Sequence, residues 1–328
     1  MRLLVTGGAG YIGSIVATQL IGDGHEVVVF DNLERGHREA VPAGAELVVG
    51  DLLDASAVGQ ALSKGFDGVL HFAALALVAE SVSHPERYYG NNVAGTLHLL
   101  EAMRDHRVSR LVFSSTCATY GYPEKVPITE DEPTRPITAY GASKLAVDWM
   151  IRDFCAAHGL GAVSLRYFNV AGASGELGED HEPETHLIPN VLRAALGINP
   201  HVNVYGTDYP TRDGTAVRDY IHIEDLSDAH VLALAATRTG EHQIYNLGNG
   251  NGFSVREVIA AAERVTGRQI PVQEADRRPG DPPELVAASE RIRRELGWEP
   301  RKPSLDDMVA DAWAFAQAHP RGYSEQAG

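Results

Sequence analysis

Residues 5–13 read "VTGGAGYIG" and complete an apolar run, "RLLVT" (2–6), with the composition of a buried strand. Gly7, Gly10 and Gly13 sit where that strand gives way to a helical pattern. Each glycine has a separate physical use if the turn holds a pyrophosphate. Gly7 permits a tight turn, Gly10 lets the backbone approach the phosphates, and Gly13 lets the new helix pack against the strand. The helix N-terminus then offers free N–H groups to anionic oxygens. The spacing is G-x-x-G-x-x-G rather than G-x-G-x-x-G, so its position directly after the first strand carries the inference of a dinucleotide-binding turn.

Further strands are expected at "VVVF" (27–30), "AELVV" (45–49), "GVLHF" (68–72), "RLVFSS" (110–115) and "AVSLRYF" (162–168), with helices at 85–104 and 139–158 between them. Fully apolar strands alternating with helices predict an α/β fold of the Rossmann type, a doubly wound parallel sheet covered on both faces. After about residue 170 the texture changes. "NVAGASGELGEDHEPET" (169–185) and "RRPGDPPE" (277–284) read as loops, with helices expected at 187–197, 254–266 and 304–318 and a frayed tail over "HPRGYSEQAG". The expected division is 1–168 for the dinucleotide and 169–328 for a smaller α/β substrate domain on the C-terminal side.

The chain's 328 residues suffice for a full core, and its net charge of -16 excludes duplex DNA and anionic membranes as natural partners. Two cysteines, Cys117 and Cys155, make neither a disulfide framework nor a metal cluster and suit a reducing cytoplasm. The N-terminus lacks a signal-peptide pattern, and no apolar run reaches the length of a membrane span.

Asp31 follows the second strand, 24 residues after Gly7. A carboxylate there accepts both adenosine ribose hydroxyls and repels a 2′-phosphate, which favours NAD over NADP; Arg35 is the counter-signal. Asp51, after the third strand, serves either the adenine edge or its own turn. At the chemical end, "YGASK" (140–144) places Tyr140 and Lys144 on one helix face. Strand "RLVFSST" ends at Ser114, Ser115 and Thr116, where ligands of open parallel sheets bind. Phenol, ammonium and hydroxyl make a proton-transfer constellation. A tyrosine base at pH 7 needs about 4 kcal/mol of stabilisation for its anion. One cation about 4 Å away supplies roughly that at an effective dielectric near 20, while burial of the phenolate opposes it.

"TGGAGYIG" (6–13), "HFAA" (71–74), "NNVAGT" (91–96), "FSST" (113–116) and "YGASK" together resemble the extended short-chain dehydrogenase/reductase superfamily from residue 3 to about 300. Within it, "FDNLERGH" (30–37), "YFNVAGA" (167–173), "YGTDYPTRDGTAVRDYIH" (205–222) and "GDPPE" (280–284) are similar to the UDP-glucose (UDP-galactose) 4-epimerase family. The resemblance implies an isomerase with tightly held NAD. Tyr140 would take the proton of the sugar's 4-hydroxyl, with hydride passing to NAD. The 4-keto sugar would turn over and receive hydride on its other face. Thr116 would bind the 4-oxygen, and Lys144 the nicotinamide ribose.

It further implies cofactor contacts from Tyr11 and Ile12 beside the glycines, from Asn32 and Gly36 beside Asp31, and from Leu52 beside Asp51. Phe72, Ala73, Ala74, Asn92, Ser114 and Phe168 complete that wall. For the UDP-sugar it implies Asn169, Arg218, Arg278 and Asp281 around diphosphate and ribose, Tyr205 near uracil with Asn203 and Val204, and His186 and Leu187 along the channel. The family also suggests a homodimer through the helices at 85–104 and 139–158.

Two departures stand out. Many relatives carry a lysine after "HFAA", where this chain has Leu75, Ala76 and Leu77. Relatives confined to hexoses often have tyrosine at Leu285, and those accepting N-acetylated sugars a small residue; leucine is intermediate and implies weak N-acetylhexosamine turnover. Competing chemistries lose ground on particular residues. A 4,6-dehydratase would want Asp-Glu where Cys117 and Ala118 stand. A UDP-glucuronate enzyme would want a cation for the carboxylate, and a non-catalytic NAD-binding protein has no use for Tyr140, Lys144 and Thr116 together. "HEPETH" (181–186) sets two histidines five apart around Pro183, unlike the one-turn spacing of helical zinc motifs, so no metal is expected. Cys117 is expected to pack rather than react.

Overall fold

In the computed structural model, which describes residues 1–278 and 280–323, the first half of the chain forms β1 (Arg2–Thr6), β2 (Glu26–Asp31), β3 (Glu46–Val49), β4 (Gly68–His71), β5 (Arg110–Thr116) and β6 (Gly161–Tyr167). The second half adds β7 (Asn169–Ala171), β8 (Val202–Tyr205), β9 (Val217–His222), β10 (His242–Leu247), β11 (Gly252–Ser254), β12 (Val272–Ala275) and β13 (Glu284–Leu285). A seven-stranded sheet runs in the order β10-β6-β5-β4-β1-β2-β3, parallel throughout. The chain leaves β1 toward β2 and β3, then returns on the other side to β4. The gap above β1 and β4 is therefore the switch point where ligands of such sheets bind. β10 places residues from beyond position 168 in the same sheet.

The strands are apolar because both faces are buried. Leu3 and Val5 enter one core cluster with helices Tyr11–Gly22 and Ile223–Ala236, and Leu4 between them enters the other with helices Ala55–Leu62, Gly95–Asp105 and Ala139–His158. A smaller unit gathers β9 with β7, β11 and β13, the pair β8–β12, and helices Leu187–Ala195, Val255–Thr266 and Leu305–Ala318 around its own core. No helix among the described residues is long and apolar enough to cross a membrane.

Two expectations change. The helix anticipated over 85–104 is interrupted: Pro85–Tyr88 leads into a wide π turn, Tyr89–Ala94, before Gly95–Asp105 resumes. The widened turn carries Asn92, whose amide bonds both backbone groups of Leu75, and such turns recur at functional positions. The tail is not frayed at its start. Tyr323 is buried, donating its backbone N–H to Asp180 Oδ2 (2.9 Å), and its ring lies 5.6 Å from that of Phe315. Residues 324–328 of that tail, and Pro279 within the expected loop 277–284, lie outside the described residues.

Candidate functional site

The turn after β1 is built for close approach. Gly7 has φ +72°, and a Cβ there would lie 2.5 Å from the backbone nitrogen of Ala73; a Cβ on Gly13 would lie 2.2 Å from the carbonyl oxygen of Gly7. Helix Tyr11–Gly22 starts after Gly10, which has no side chain to cap it, so its first N–H groups are left for an anion. Tyr11 and Ile12 form that first turn, and the Tyr11 phenol points away to donate to Gly172 O (2.7 Å). The 31–37 segment folds back over the turn, with His37 N–H donating to Ala9 O (2.8 Å) and Gly36 packed on Ala9.

Asp31 accepts N–H bonds from Ala9 (3.0 Å) and Leu33 (2.9 Å); burial raises its pKa and those two bonds lower it. Each oxygen keeps a lone pair for a hydroxyl. Arg35 is engaged elsewhere, donating to Glu182 O and lying 3.9 Å from Glu80. Asp51 holds its own turn through Leu53 N–H (2.8 Å) and receives Asn32 Nδ2 (3.0 Å), while the carbonyl of buried Leu52 meets His98 (2.9 Å). Phe72, Ala73 and Ala74 leave the end of β4 beside Gly7, Ala73 N–H donating to Thr6 O (3.1 Å). The amide of Asn92 is committed to protein, fastening Leu75 and donating to Ser143 Oγ (3.1 Å). Polarity, glycine cradle and bare helix terminus all fit a dinucleotide.

At the end of β5, Thr116 Oγ1 accepts Ala118 N–H (3.2 Å) and lies beside the Tyr140 phenol. Burial pushes the Tyr140 phenol up to about 12, with the neighbouring Thr116 hydroxyl working against it. Lys144 is 3% exposed; its Nζ donates to Ser114 O (2.8 Å) and lies 4.8 Å above the Phe113 ring. Burial brings its pKa down to about 7, opposed by the carboxylate of Asp148. The Ser114 hydroxyl shares a hydrogen bond with Tyr167, whose own phenol is raised by burial and by Tyr140. The Cys117 thiol is pushed up to about 12 by burial, which leaves it inert at neutral pH.

The second half supplies the opposite wall. Arg218, on β9, pairs with Asp281 across the sequence and not with its neighbour Asp219, and donates to Pro282 O (2.9 Å). Asp219 points inward, accepting N–H bonds from Asn249, Gly250 and Ala287, and burial raises it to about 6. The Arg278 guanidinium lies 4.1 Å from the ring centroid of Tyr205, so one ring face is taken. On β8 the alternation exposes Asn203 and buries Val204 in the core, so any ligand contact from Val204 is through backbone. Asn169 sits beside Tyr220 in register. Leu285 packs against the buried cluster of Tyr120, Ile128, Phe168 and Ala287, as does Cys117, next in sequence to Thr116. His186 and Leu187 open helix Leu187–Ala195.

Several residues at the site were not singled out from sequence. His71 bridges Thr6 Oγ1 (2.7 Å) and Thr96 Oγ1 (2.9 Å), and burial, then Lys144, hold it neutral with a pKa near 3. Arg166 and Asp148 form a buried ion pair (2.8 Å) joined through Tyr120 to Asn246, locking helix Ala139–His158 to the sheet. Asp148 lies four residues after Lys144, a helical spacing that could have flagged it. The "HEPETH" histidines also converge: the segment is not helical, and both Nδ1 atoms face Glu179.

The chain matches the NAD dependent epimerase/dehydratase family over residues 3–248. It is 56% identical to a UDP-glucose 4-epimerase of Corynebacterium glutamicum, over 97% of this chain and 96% of that one. It is likewise 56% identical to a UDP-glucose 4-epimerase of Streptomyces lividans, over 99% of both. Its fold is similar to that of a Bifidobacterium longum UDP-glucose 4-epimerase solved in complex with NAD+ and UDP, with a TM-score of 0.94, 38% identity, and 98% and 100% of the two chains covered.

Proposed function

The chain belongs to the NAD dependent epimerase/dehydratase family, and we propose that it interconverts UDP-galactose and UDP-glucose at C4 through a 4-keto sugar, with NAD tightly held. The seven-stranded sheet, most of it from residues 1–168 but completed by β10 and helix Ile223–Ala236, carries the cofactor, and the smaller unit from the rest of the second half carries the UDP-sugar. The observation that carries this is the meeting of Thr116, Tyr140 and Lys144 beyond β5, beside a glycine turn shaped for a dinucleotide. Bound NAD supplies the hydride acceptor and donor at C4 and a positive ring charge near the phenol.

The chain's own residues handle the proton and the positioning. Tyr140 accepts the 4-hydroxyl proton and returns it, and Thr116 holds the 4-oxygen. Lowering the phenol from about 12 to neutrality takes about 7 kcal/mol. One cation at about 4 Å contributes about 4 kcal/mol at an effective dielectric of 20. Lys144, itself brought down to about 7 by burial, carries less than a full charge at neutral pH and falls short alone, so a second cation in the cofactor site is needed. The acidic Asp31 and the engagement of Arg35 favour NAD over NADP.

Arg218 exchanges Asp281 for the diphosphate, Arg278 joins it, and Asp281 turns to the uridine ribose. Asn169 joins Arg218 at the diphosphate, His186 and Leu187 line the channel, and the second face of Tyr205 receives the uracil. Leu285, packed next to Phe168, limits the room beside C2. Leu285→Tyr should abolish turnover of UDP-N-acetylhexosamines while hexose turnover stays within a few fold; an unchanged ratio in paired rate assays removes Leu285 as the gate. Two copies pair through the segments at 85–104 and 139–158, where Tyr89, Leu97 and Trp149 are exposed. The free thiols of Cys117 and Cys155 suit a cytoplasmic setting.

The function is tested by adding purified protein to UDP-galactose without supplied NAD and following the anomeric signals by NMR. An equilibrium mixture dominated by UDP-glucose is expected. No conversion, with NAD added as well, overturns the assignment.

A further inference from the structure

The loop between β7 and helix Leu187–Ala195 carries Glu179, His181, Glu184 and His186, and one ligand atom of each lies within 4.8 Å of all the others. The His–carboxylate separations are instructive. His181 Nδ1 is 3.2 Å from Glu179 Oε1 and 3.8 Å from Glu184 Oε2, and His186 Nδ1 is 3.5 Å from Glu184 Oε1 and 2.5 Å from Glu179 Oε1. A tetrahedral ion with bonds of about 2.0–2.2 Å has ligand–ligand edges of about 3.4 Å. Three of the four separations, two of them to different oxygens of Glu184, are close to that edge, and the fourth is a direct His186–Glu179 ion pair that an ion would open.

The carboxylates are buried, with side chains 10% and 4% exposed for Glu179 and Glu184. Buried carboxylates need a paired charge or a metal. His181 Nδ1 adds a second, independent sign. It is buried and makes no hydrogen bond among the described residues, although a carboxylate oxygen lies 3.2 Å away.

The frame around the loop is fixed from outside. Arg35 donates to Glu182 O, Tyr323 N–H to Asp180 Oδ2, and His37 meets Asp180 O at 3.2 Å. A cavity of about 460 Å³ adjoins it.

We propose that Glu179, His181, Glu184 and His186 bind one divalent transition-metal ion of the zinc class. Two imidazole nitrogens and two carboxylate oxygens fill a tetrahedral shell, and a shell closed by protein marks a structural site rather than a catalytic one. The ion ties the loop to the start of helix Leu187–Ala195 and so fixes Leu187. This assignment stands independently of which sugar the enzyme turns over.

The test strips the full-length protein with a chelator, restores zinc alone, and measures bound metal by equilibrium dialysis against a chromogenic competitor. One equivalent bound at submicromolar free zinc, with a raised unfolding temperature, is expected. His181→Ala and the near-isosteric Glu184→Gln should each lose at least about tenfold in affinity, as removing a ligand does. His106→Ala, at an exposed histidine elsewhere, should bind as wild type. Less than one equivalent at micromolar zinc, or equal retention by both cluster variants, overturns the site.

Discussion

Tyr140→Phe will lower the epimerisation rate by about three orders of magnitude and leave NAD bound, as expected when a positioned acid–base group is lost. The substitution removes one oxygen and little packing. The ring keeps its edge contact with Tyr88, 6.4 Å between centroids, and Lys144 keeps its bond to Ser114 O. What disappears is the group proposed to take the 4-hydroxyl proton. The Thr116 hydroxyl remains, but a threonine hydroxyl is a far weaker base than a phenolate beside a cation. Rates with UDP-galactose give the loss, and the absorbance of released cofactor after denaturation gives NAD occupancy. A variant within tenfold of wild type would mean that another residue moves the proton.

Gly13→Ala is the second large effect, and it acts on the cofactor rather than on the chemistry. The added methyl would lie 2.2 Å from Gly7 O and 2.9 Å from Gly8 Cα. Both are backbone atoms of the phosphate turn, so relief requires the helix start and the turn to separate. Overpacking of this kind costs about 1–3 kcal/mol, and the displaced turn no longer presents its N–H groups to a pyrophosphate. The variant should purify without NAD and unfold at a lower temperature. Gly22→Ala is the control on the same helix, since a Cβ there meets nothing within 4 Å. It should keep both cofactor and stability. Full NAD occupancy in Gly13→Ala would remove the glycine cradle from the account.

The strands that were legible in sequence are those buried on both faces, such as Leu3, Leu4 and Val5, which feed opposite cores in turn. β10 did not announce itself, because "HQIYNL" is half polar: His242 bonds Ser164, and Asn246 is buried to bond Tyr120 and Ile128. Tyr140, Lys144 and Thr116 were legible because helix period and strand end are local facts. Pairings across the sequence were not. Arg218 has an acid beside it at Asp219, yet its partner is Asp281, because strand alternation turns the two neighbours to opposite faces. The convergence of His181 and His186 escaped for a related reason, since a spacing rule for helices says nothing of a loop.

The central claim is that oxidation and reduction at C4 occur within one binding event, by way of a cofactor that never leaves. UDP-galactose deuterated at C4, converted in ordinary water, tests it most directly. The account predicts UDP-glucose with deuterium retained at C4, because that hydrogen goes out and returns without meeting solvent. Product carrying a protium from water at C4 would contradict it, since the inversion would then proceed by proton exchange at carbon.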